Sequence, residues 1–216
     1  MDTPLHHFCN RELAAQLRQL RDRNVMLLLI DGSAAFGRLG RLEDCVLEVL
    51  PAVGMVGVCK VRFRPPNPTL PGVDILLSEL RLDVCNVAAV VEGPFVFPPI
   101  SETGKPPAPT KYTPSYPKTT GKTVVRQQSE LLCTLEEYEG QNVGVTCVGG
   151  WTVGGLLGEV CDHIAVFGPG TTMAPLLITL GSVNVFGPAL CGGVQPMVGT
   201  FRCWTNLCAL TCVLIP

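Results

Sequence analysis

The chain has 216 residues, of which 47% are hydrophobic and 16% charged, and its formal net charge is −2. This composition excludes an intrinsically disordered protein, because disorder requires few apolar residues and a high net charge. No apolar run reaches the roughly 20 residues of a membrane-spanning helix, so we expect no membrane span. The N-terminal sequence MDTPLHHFCNRE has neither the basic start nor the apolar core of a secretory signal, which predicts a cytoplasmic protein.

The charges are unevenly distributed along the chain. Between Gln127 and Thr200 there is no Lys or Arg, whereas the same stretch contains six acidic residues: Glu130, Glu136, Glu137, Glu139, Glu159 and Asp162. A polyanion such as a nucleic acid would be repelled by this part of the chain.

The first third of the chain predicts a helix followed by short strands. Residues 10–22 show the apolar spacing of an amphipathic helix, with Asn10 as its N-cap. A strand over 25–30 follows, then a hairpin turn at Asp31-Gly32, a second strand over 34–42 and a third over 45–50. An extra segment over 51–71 and two further strands over 74–91 complete this unit. Within the second strand, glycines predict a sharp bend at Gly37 and Gly40.

Residues 93–127 contain eight prolines and no apolar periodicity, which is typical of an extended linker. The linker includes Thr120-Gly121-Lys122-Thr123, which is part of a phosphate-binding loop motif. Because Tyr116 stands where that motif requires glycine, we reject a nucleotide site there.

A divergent copy of the stretch 24–49 returns 118 residues later. The aligned pairs share identical residues: Asn24 with Asn142, Val25 with Val143, Gly32 with Gly150, Gly37 with Gly155, Leu39 with Leu157, Gly40 with Gly158 and Asp44 with Asp162. The chain is therefore a duplication, and the glycines Gly32, Gly37, Gly40, Gly150, Gly155 and Gly158 are expected to define the fold of each copy. The second copy is predicted to begin with a helix over 128–139.

Beyond the third strand, the alignment predicts that residues 179–185 match 78–84 at an offset of 101. The C-terminal segment then has no counterpart in the first copy, and it forms either a docked strand or helix, or an exposed assembly segment. The predicted domains are a first unit over 1–92, a linker over 93–127, a second unit over 128–190 and a tail over 191–216.

The eleven cysteines include no CxxC pair, which excludes zinc-ribbon spacing. Two interpretations stay open. In the first, most of the cysteines are buried, reduced and act as small apolar residues. In the second, the cysteines near the termini crosslink subunits, namely Cys9, Cys203, Cys208 and Cys212.

The helix, the five short strands and a repeated glycine pattern resemble the Sm family, including its bacterial Hfq-like branch. The pattern is Gly37-x-Leu39-x-x-Leu42-Glu43-Asp44 in the first copy, and Gly155-x-Leu157-x-x-Val160-Cys161-Asp162 in the second. The resemblance implies a mainly β fold of two small, five-stranded, strongly bent antiparallel barrels, each with a short N-terminal helix, joined by the Pro-rich linker. It also implies barrels that join edge to edge into rings, often with RNA in an inner pocket.

The RNA pocket of the family does not carry over to this chain. Leu47 and Ala165 stand where the family has a base-contacting Asn, and Leu77 and Leu180 stand where it has an Arg. Only His163 falls near a position that stacks on bases. The usual groups that hold single-stranded RNA are therefore missing.

No catalytic constellation is present, since G-x-S-x-G is absent and the chain has only three histidines. We expect no enzymatic activity, no cofactor and no metal. The first hypothesis is a tandem Sm-like assembly protein that associates with itself or with another protein, for example in a bacterial spore coat. The alternative is RNA binding through a basic face of the first barrel and the linker, carried by Arg18, Arg21, Arg23, Lys60, Arg62 and Arg64.

Overall fold

A computed structural model describes residues 11–43, 45–52, 55, 57–62, 73–92, 95–96, 135–161, 163–168, 176–180, 183–184, 195–196 and 202–214. The described residues are mainly β, and every strand pairing among them is antiparallel, which confirms the predicted class at this level. Within these ranges no helix has the length and apolar character needed to cross a membrane.

Repeat 1, residues 11–92, begins with one helix whose apolar face is buried through Leu13, Ala14 and Leu17. Strands of alternating or fully buried residues follow it, as the apolar pattern predicts. The elements are α1 (Arg11–Gln19), β1 (Asn24–Leu29), β2 (Ser33–Glu43), β3 (Val46–Leu50), β4 (Val58–Arg62), β5 (Val73–Leu77), β6 (Leu80–Asp83), a 3-10 turn (Val84–Asn86) and β7 (Val87–Glu92).

Repeat 2, residues 135–214, starts with Leu135 and Glu136 in helical conformation; the earlier part of the helix predicted over 128–139 lies outside the described residues. Its elements are β9 (Asn142–Cys147), β10 (Trp151–Cys161), β11 (Ile164–Gly168), β12 (Leu177–Leu180), β13 (Val183–Asn184), β15 (Arg202–Asn206), a 3-10 turn (Leu207–Ala209) and β16 (Leu210–Leu214). Two short strands, β8 (Phe95–Val96) and β14 (Gln195–Pro196), pair separately from the main sheet. Apart from β8, the predicted linker over 93–127 lies outside the described residues.

The second strand of each repeat changes partners part-way along its length. In repeat 1, Ser33 to Phe36 pair with β4, whereas Arg38 to Glu43 pair with β3. Gly37 lies at the change, and a Cβ atom there would be 2.6 Å from the carbonyl oxygen of Leu50. In repeat 2, β10 pairs with β12 and then with β11, and Gly155 lies at the equivalent point. The predicted glycine bend is therefore a switch of strand partners in both repeats, and at Gly37 the close approach of Leu50 leaves no room for a side chain.

The strand pairing shows that the second repeat ends later than the sequence predicts. β15 pairs with β11 as β6 pairs with β3, and β16 pairs with β9 as β7 pairs with β1. Both closing strands even share a bulge, at Leu28/Leu29 and at Leu210/Cys212. Residues 202–214 are therefore the counterpart of 79–91, and the predicted match of 179–185 to 78–84 is wrong. The C-terminal segment supplies strands of the main sheet, which agrees with a docked strand.

Fourteen of the described strands form a single sheet, in which β7 of repeat 1 pairs with β15 of repeat 2. We call this pairing the seam. The described strands run from β13 at one end to β6 at the other without the sheet closing on itself. The two repeats are thus joined through strands rather than lying as separate sheets.

The apolar core consists of two clusters, and each draws residues from both repeats. The first contains α1 and one face of repeat 1, for example Leu17, Leu27 and Leu39, together with Ile164 and Trp204 of repeat 2. The second contains the interior of repeat 2 and the opposite face of repeat 1, including Met26, Leu28, Phe36, Val61 and Val91. As a result β1 and β7 are buried on both faces, whereas β16 is largely exposed.

Candidate interaction surface

The seam is a four-residue antiparallel ladder. Glu92 lies opposite Arg202, Val91 opposite Cys203, Val90 opposite Trp204 and Ala89 opposite Thr205. Cys203 and Thr205 are fully buried, and so are Val90, Val91 and Ala89. The ladder therefore forms part of the protein interior, with its one pair of opposite charges at the end.

The outward-facing side chains of repeat 2 at the seam complete the core of repeat 1. Trp204 and Ile164 are each only 6% exposed and belong to the cluster that contains α1. Val166 lies two residues after Ile164 and pairs opposite Trp204. It packs against the same cluster. At the seam, one repeat thus covers the apolar surface that the other leaves open.

The hairpin turns of the two repeats also contact each other. The indole Nε1–H of Trp151 donates a buried hydrogen bond of 2.7 Å to the carbonyl oxygen of Leu29. Gly149 has φ of +93°, and a Cβ atom there would be 2.8 Å from the same oxygen. A side chain at this turn would push the repeats apart, so the turn requires glycine on two counts.

One side chain at the seam shows how the two repeats have diverged. Asp83 and Asn206 occupy equivalent positions, and each accepts a hydrogen bond from the backbone N–H two residues later, on Cys85 and Cys208 respectively. Asn206 has in addition an amide N–H₂ group, which donates a 3.0 Å buried bond to the carbonyl oxygen of Val87. Asp83 has no such donor, and its strand has no partner beyond β3 among the described residues.

Each strand of the seam has a counterpart in the other repeat. β6 is the counterpart of β15, and β16 is the counterpart of β7, as their pairings show. Within the described part of the chain, β6 pairs only with β3 and β16 pairs only with β9. We call these two strands the open edges, because each has an unpaired side with the backbone geometry of a strand that pairs at the seam.

The β6 open edge carries charge. Arg81, the counterpart of Trp204, is exposed and forms an ion pair with Glu79. The Glu79 carboxylate raises the pKa of the Arg81 guanidinium, first by its hydrogen bond and then by its charge, and Glu48 and Glu43 raise it further. Charged side chains on an edge strand are a common protection against unwanted pairing.

The β16 open edge carries no charge. Its residues are Leu210, Thr211, Cys212, Val213 and Leu214, and Leu214 is 46% exposed. One cross-strand row leads from this edge across the sheet, through Gly144 and Gly154 to Leu177, which is 45% exposed. The two leucines therefore share a face, but Leu214 lies on an open edge, whereas Leu177 lies on β12, which pairs with β10 along its length and with β13 through Thr179 and Leu180.

The basic residues predicted to bind RNA do not form one patch. Arg23 precedes β1, whose first residue pairs with Arg38, whereas Arg62 pairs with Ser33 at the other end of that hairpin. Several have acidic neighbours: Arg23 is 2.5 Å from Glu92, Lys60 is 3.9 Å from Asp31, and Arg21 is 3.8 Å from Asp22. Arg18 and Arg62 are exposed, and Arg64 lies outside the described residues.

The cysteines predicted to crosslink subunits differ in accessibility. Cys203 is fully buried, Cys208 is half-buried, Cys212 is exposed, and Cys9 lies outside the described residues. Burial raises the pKa of Cys203 and of Cys147 to about 12 each, which keeps both thiols protonated. Among the described cysteines that were predicted to crosslink subunits, Cys212 is thus the accessible thiol. Cys59, which was not among them, is disulfide-bonded.

The described residues contain no group of three or more His, Cys, Asp or Glu side chains that could hold a metal ion. No protein-family model matches the chain, and no curated protein matches it in sequence.

Three residues that join the two repeats, Trp151, Trp204 and Asn206, were not among the predicted site residues. The signal that could have found Asn206 is its position two residues before a cysteine, which it shares with Asp83.

Proposed function

We propose that this protein is a non-enzymatic assembly protein, built as a tandem Sm-like duplication, which associates through its open strand edges. The observation that supports the proposal is the seam itself. β7 and β15 pair inside the molecule, while their counterparts β16 and β6 each keep one side unpaired among the described strands. An exposed edge strand is a template for pairing with another chain.

The chemistry of the β16 edge favours such a role. It is uncharged and partly apolar, and it lacks the charged or proline residues that usually protect edge strands. An apolar, unprotected edge on a folded protein is either an interaction site or an aggregation hazard. We propose that it is an interaction site through which the chain assembles.

RNA binding is the alternative that the sequence offered. It gains less support, because three of its six candidate cations have acidic neighbours and because Arg23 and Arg62 lie at opposite ends of one hairpin. A continuous basic track along the surface is the usual requirement for phosphate binding.

The test compares two matched substitutions, Leu214→Lys and Leu177→Lys. The two leucines are about equally exposed on the same sheet face, but Leu214 lies on β16, which pairs only with β9 among the described strands, whereas Leu177 lies on β12, which pairs with both β10 and β13. A lysine at an edge opposes strand pairing, so Leu214→Lys is expected to reduce the mass measured by light scattering to that of one chain. Leu177→Lys is expected to keep the wild-type mass. Equal masses for wild type and both variants would refute assembly through β16.

A further inference from the structure

We propose that β16 pairs with β16 of a second copy of this chain, antiparallel and about a two-fold axis, to form a closed dimer. This inference rests on the proposed assembly function, and it names the partner of the β16 edge. The other partner with the right backbone geometry is the β6 edge of a second copy, and the seam shows what that pairing would bring together.

Repeating the seam between two chains would place Leu214 opposite Leu80, Val213 opposite Arg81 and Cys212 opposite Leu82. These pairs follow from the internal ladder, in which Val91, Val90 and Ala89 lie opposite Cys203, Trp204 and Thr205. Register is therefore no obstacle to β16–β6 pairing.

The side chains beside β6 are the obstacle. At the seam, Trp204, Ile164 and Val166 complete an apolar core. At the β6 edge, the equivalent positions hold Arg81, Val46 and Glu48. Pairing would therefore bring an ion-paired guanidinium and a carboxylate against apolar surface, and removing these charged groups from water is unfavourable unless new partners are supplied.

The β16 strand offers no compensating charge for β6, because it contains no charged residue. At the internal seam, by contrast, Arg202 lies opposite Glu92, whose carboxylate also forms an ion pair with Arg23. The charges at the end of the internal seam are therefore of opposite sign, whereas a β16–β6 contact between chains would give the charged groups of β6 no partner from β16.

Pairing of β16 with itself avoids this penalty. A contact about a two-fold axis joins the same surface from both subunits, so an uncharged strand meets an uncharged strand. With the axis at the middle residue, Cys212 lies opposite its own copy, Leu210 lies opposite Leu214, and Thr211 lies opposite Val213. The exposed Leu214 side chains would then be covered in part by the partner's leucines.

The geometry provides a direct reporter for this contact. Directly opposite residues of an antiparallel pair have Cα atoms about 4.5–5.5 Å apart, inside the range of about 4.4–6.8 Å that a disulfide spans. Cys212 is exposed and reduced. Treatment with diamide would oxidise two Cys212 thiols to one disulfide, and the diamide would take up the two electrons and two protons.

The experiment treats wild type, Cys212→Ser and Leu82→Cys with diamide, and identifies the linked peptides by mass spectrometry. Leu82→Cys places a thiol opposite Cys212 in the β16–β6 register and keeps Arg81 and its ion pair with Glu79. We expect a covalent dimer in wild type joined through Cys212 of both chains, its loss in Cys212→Ser, and no link between residues 82 and 212. Before oxidation, Cys212→Ser should have the same two-chain mass as wild type, because the strands and not the disulfide hold the dimer.

Three results would overturn the inference. A link between residues 82 and 212, with assemblies larger than two chains, would show β16–β6 pairing, so the inference would fail while the proposed function stood. A dimer without a Cys212–Cys212 link would move the contact away from the centre of β16. A single-chain mass at all protein concentrations would overturn both the inference and the proposed function.

Discussion

The indole Nε1–H of Trp151 and the carbonyl oxygen of Leu29 are 2.7 Å apart, and this buried hydrogen bond joins the hairpin turn of repeat 2 to that of repeat 1. Trp151 is fully buried, so neither group has water as an alternative partner. The bond therefore helps to fix the two repeats relative to each other, alongside the β7–β15 ladder.

Replacing Trp151 with Phe should destabilise the protein beyond the effect of lost volume. The carbonyl oxygen of Leu29 would lose one of its two donors and keep the 3.0 Å bond from the Gly32 N–H, at a cost of about 0.5–1.5 kcal/mol. Trp204→Phe is the matched control, because Trp204 is also buried in a core cluster and pairs across the seam. Urea unfolding followed by circular dichroism should rank Trp151→Phe below Trp204→Phe in stability. The opposite ranking would mean that the hydrogen bond contributes little.

Gly149→Ala should be more destabilising than Gly140→Ala. Both glycines have positive φ, so both substitutions incur the left-handed penalty of about 1–2 kcal/mol. At Gly140 no heavy atom lies within 4 Å of the new Cβ, whereas at Gly149 the new Cβ would be 2.8 Å from the carbonyl oxygen of Leu29. Thermal unfolding of the two variants provides the comparison. Equal losses would show that the turns of the two repeats do not contact each other.

Asn206→Asp should weaken the seam, while the reciprocal Asp83→Asn should change stability little. An aspartate at position 206 still accepts the bond from Cys208 but cannot donate to the carbonyl oxygen of Val87, and it places a carboxylate in a buried site. We expect a loss of about 1–3 kcal/mol on denaturant unfolding at neutral pH. If both substitutions had the same effect, the side-chain bond across the seam would be unimportant.

Stability should fall as the pH rises from 9 to 12. The pKa of Cys203 is about 12 in the folded protein and about 9 when the chain unfolds, so the folded state retains the proton in this window. A group whose folded pKa is raised contributes fully below the unfolded pKa, and its contribution is lost as the pH approaches the folded value. At pH 10 the loss is on the order of 1 kcal/mol for Cys203, and Cys147 adds to it in the same direction. Cys203→Ala should show a smaller fall between pH 8 and pH 10 than wild type, and an equal fall would contradict the assignment.

Sequence alone was sufficient to find the duplication where identical residues mark it. The offset of 118 that aligns Gly37 with Gly155 also relates the pairs Ser33–Arg62 and Trp151–Leu180, so it holds through the fourth strand. A side chain at Gly37 would clash with the backbone of Leu50, and a position with such a steric requirement stays recognisable after other residues have diverged.

The closing strands of repeat 2 could not be found in the same way. These strands differ in chemistry from their counterparts in repeat 1. Trp204 stands where repeat 1 has Arg81, and Thr205 stands where it has Leu82. These changes follow from the seam, because β15 is buried against repeat 1 while β6 has an open side. Residues 179–185 match residues 78–84 only in their strand-like alternation, and alternation by itself does not distinguish one strand from another.

The candidate site was even less predictable, since a seam depends on which strand edges meet. The sequence indicated accessible cysteines near the C-terminus, and Cys212 is exposed, but Cys203 is enclosed by the seam. The sequence also suggested one basic face. The register of β4 instead places Lys60 and Arg62 toward the turn of the β1–β2 hairpin, whereas Arg23 lies at the other end of that hairpin. Nearest neighbours across a sheet come from topology, which local pattern does not encode.

The measurement that tests the central claim most directly is light scattering on a sizing column, with absorbance recorded at 260 and 280 nm across the peak, with and without reductant. We predict the mass of two chains, a protein-like absorbance ratio and no dependence on reductant. The mass of one chain at every concentration would contradict assembly through the open edges. A nucleic-acid-like ratio that falls after nuclease treatment would contradict the account in favour of RNA binding.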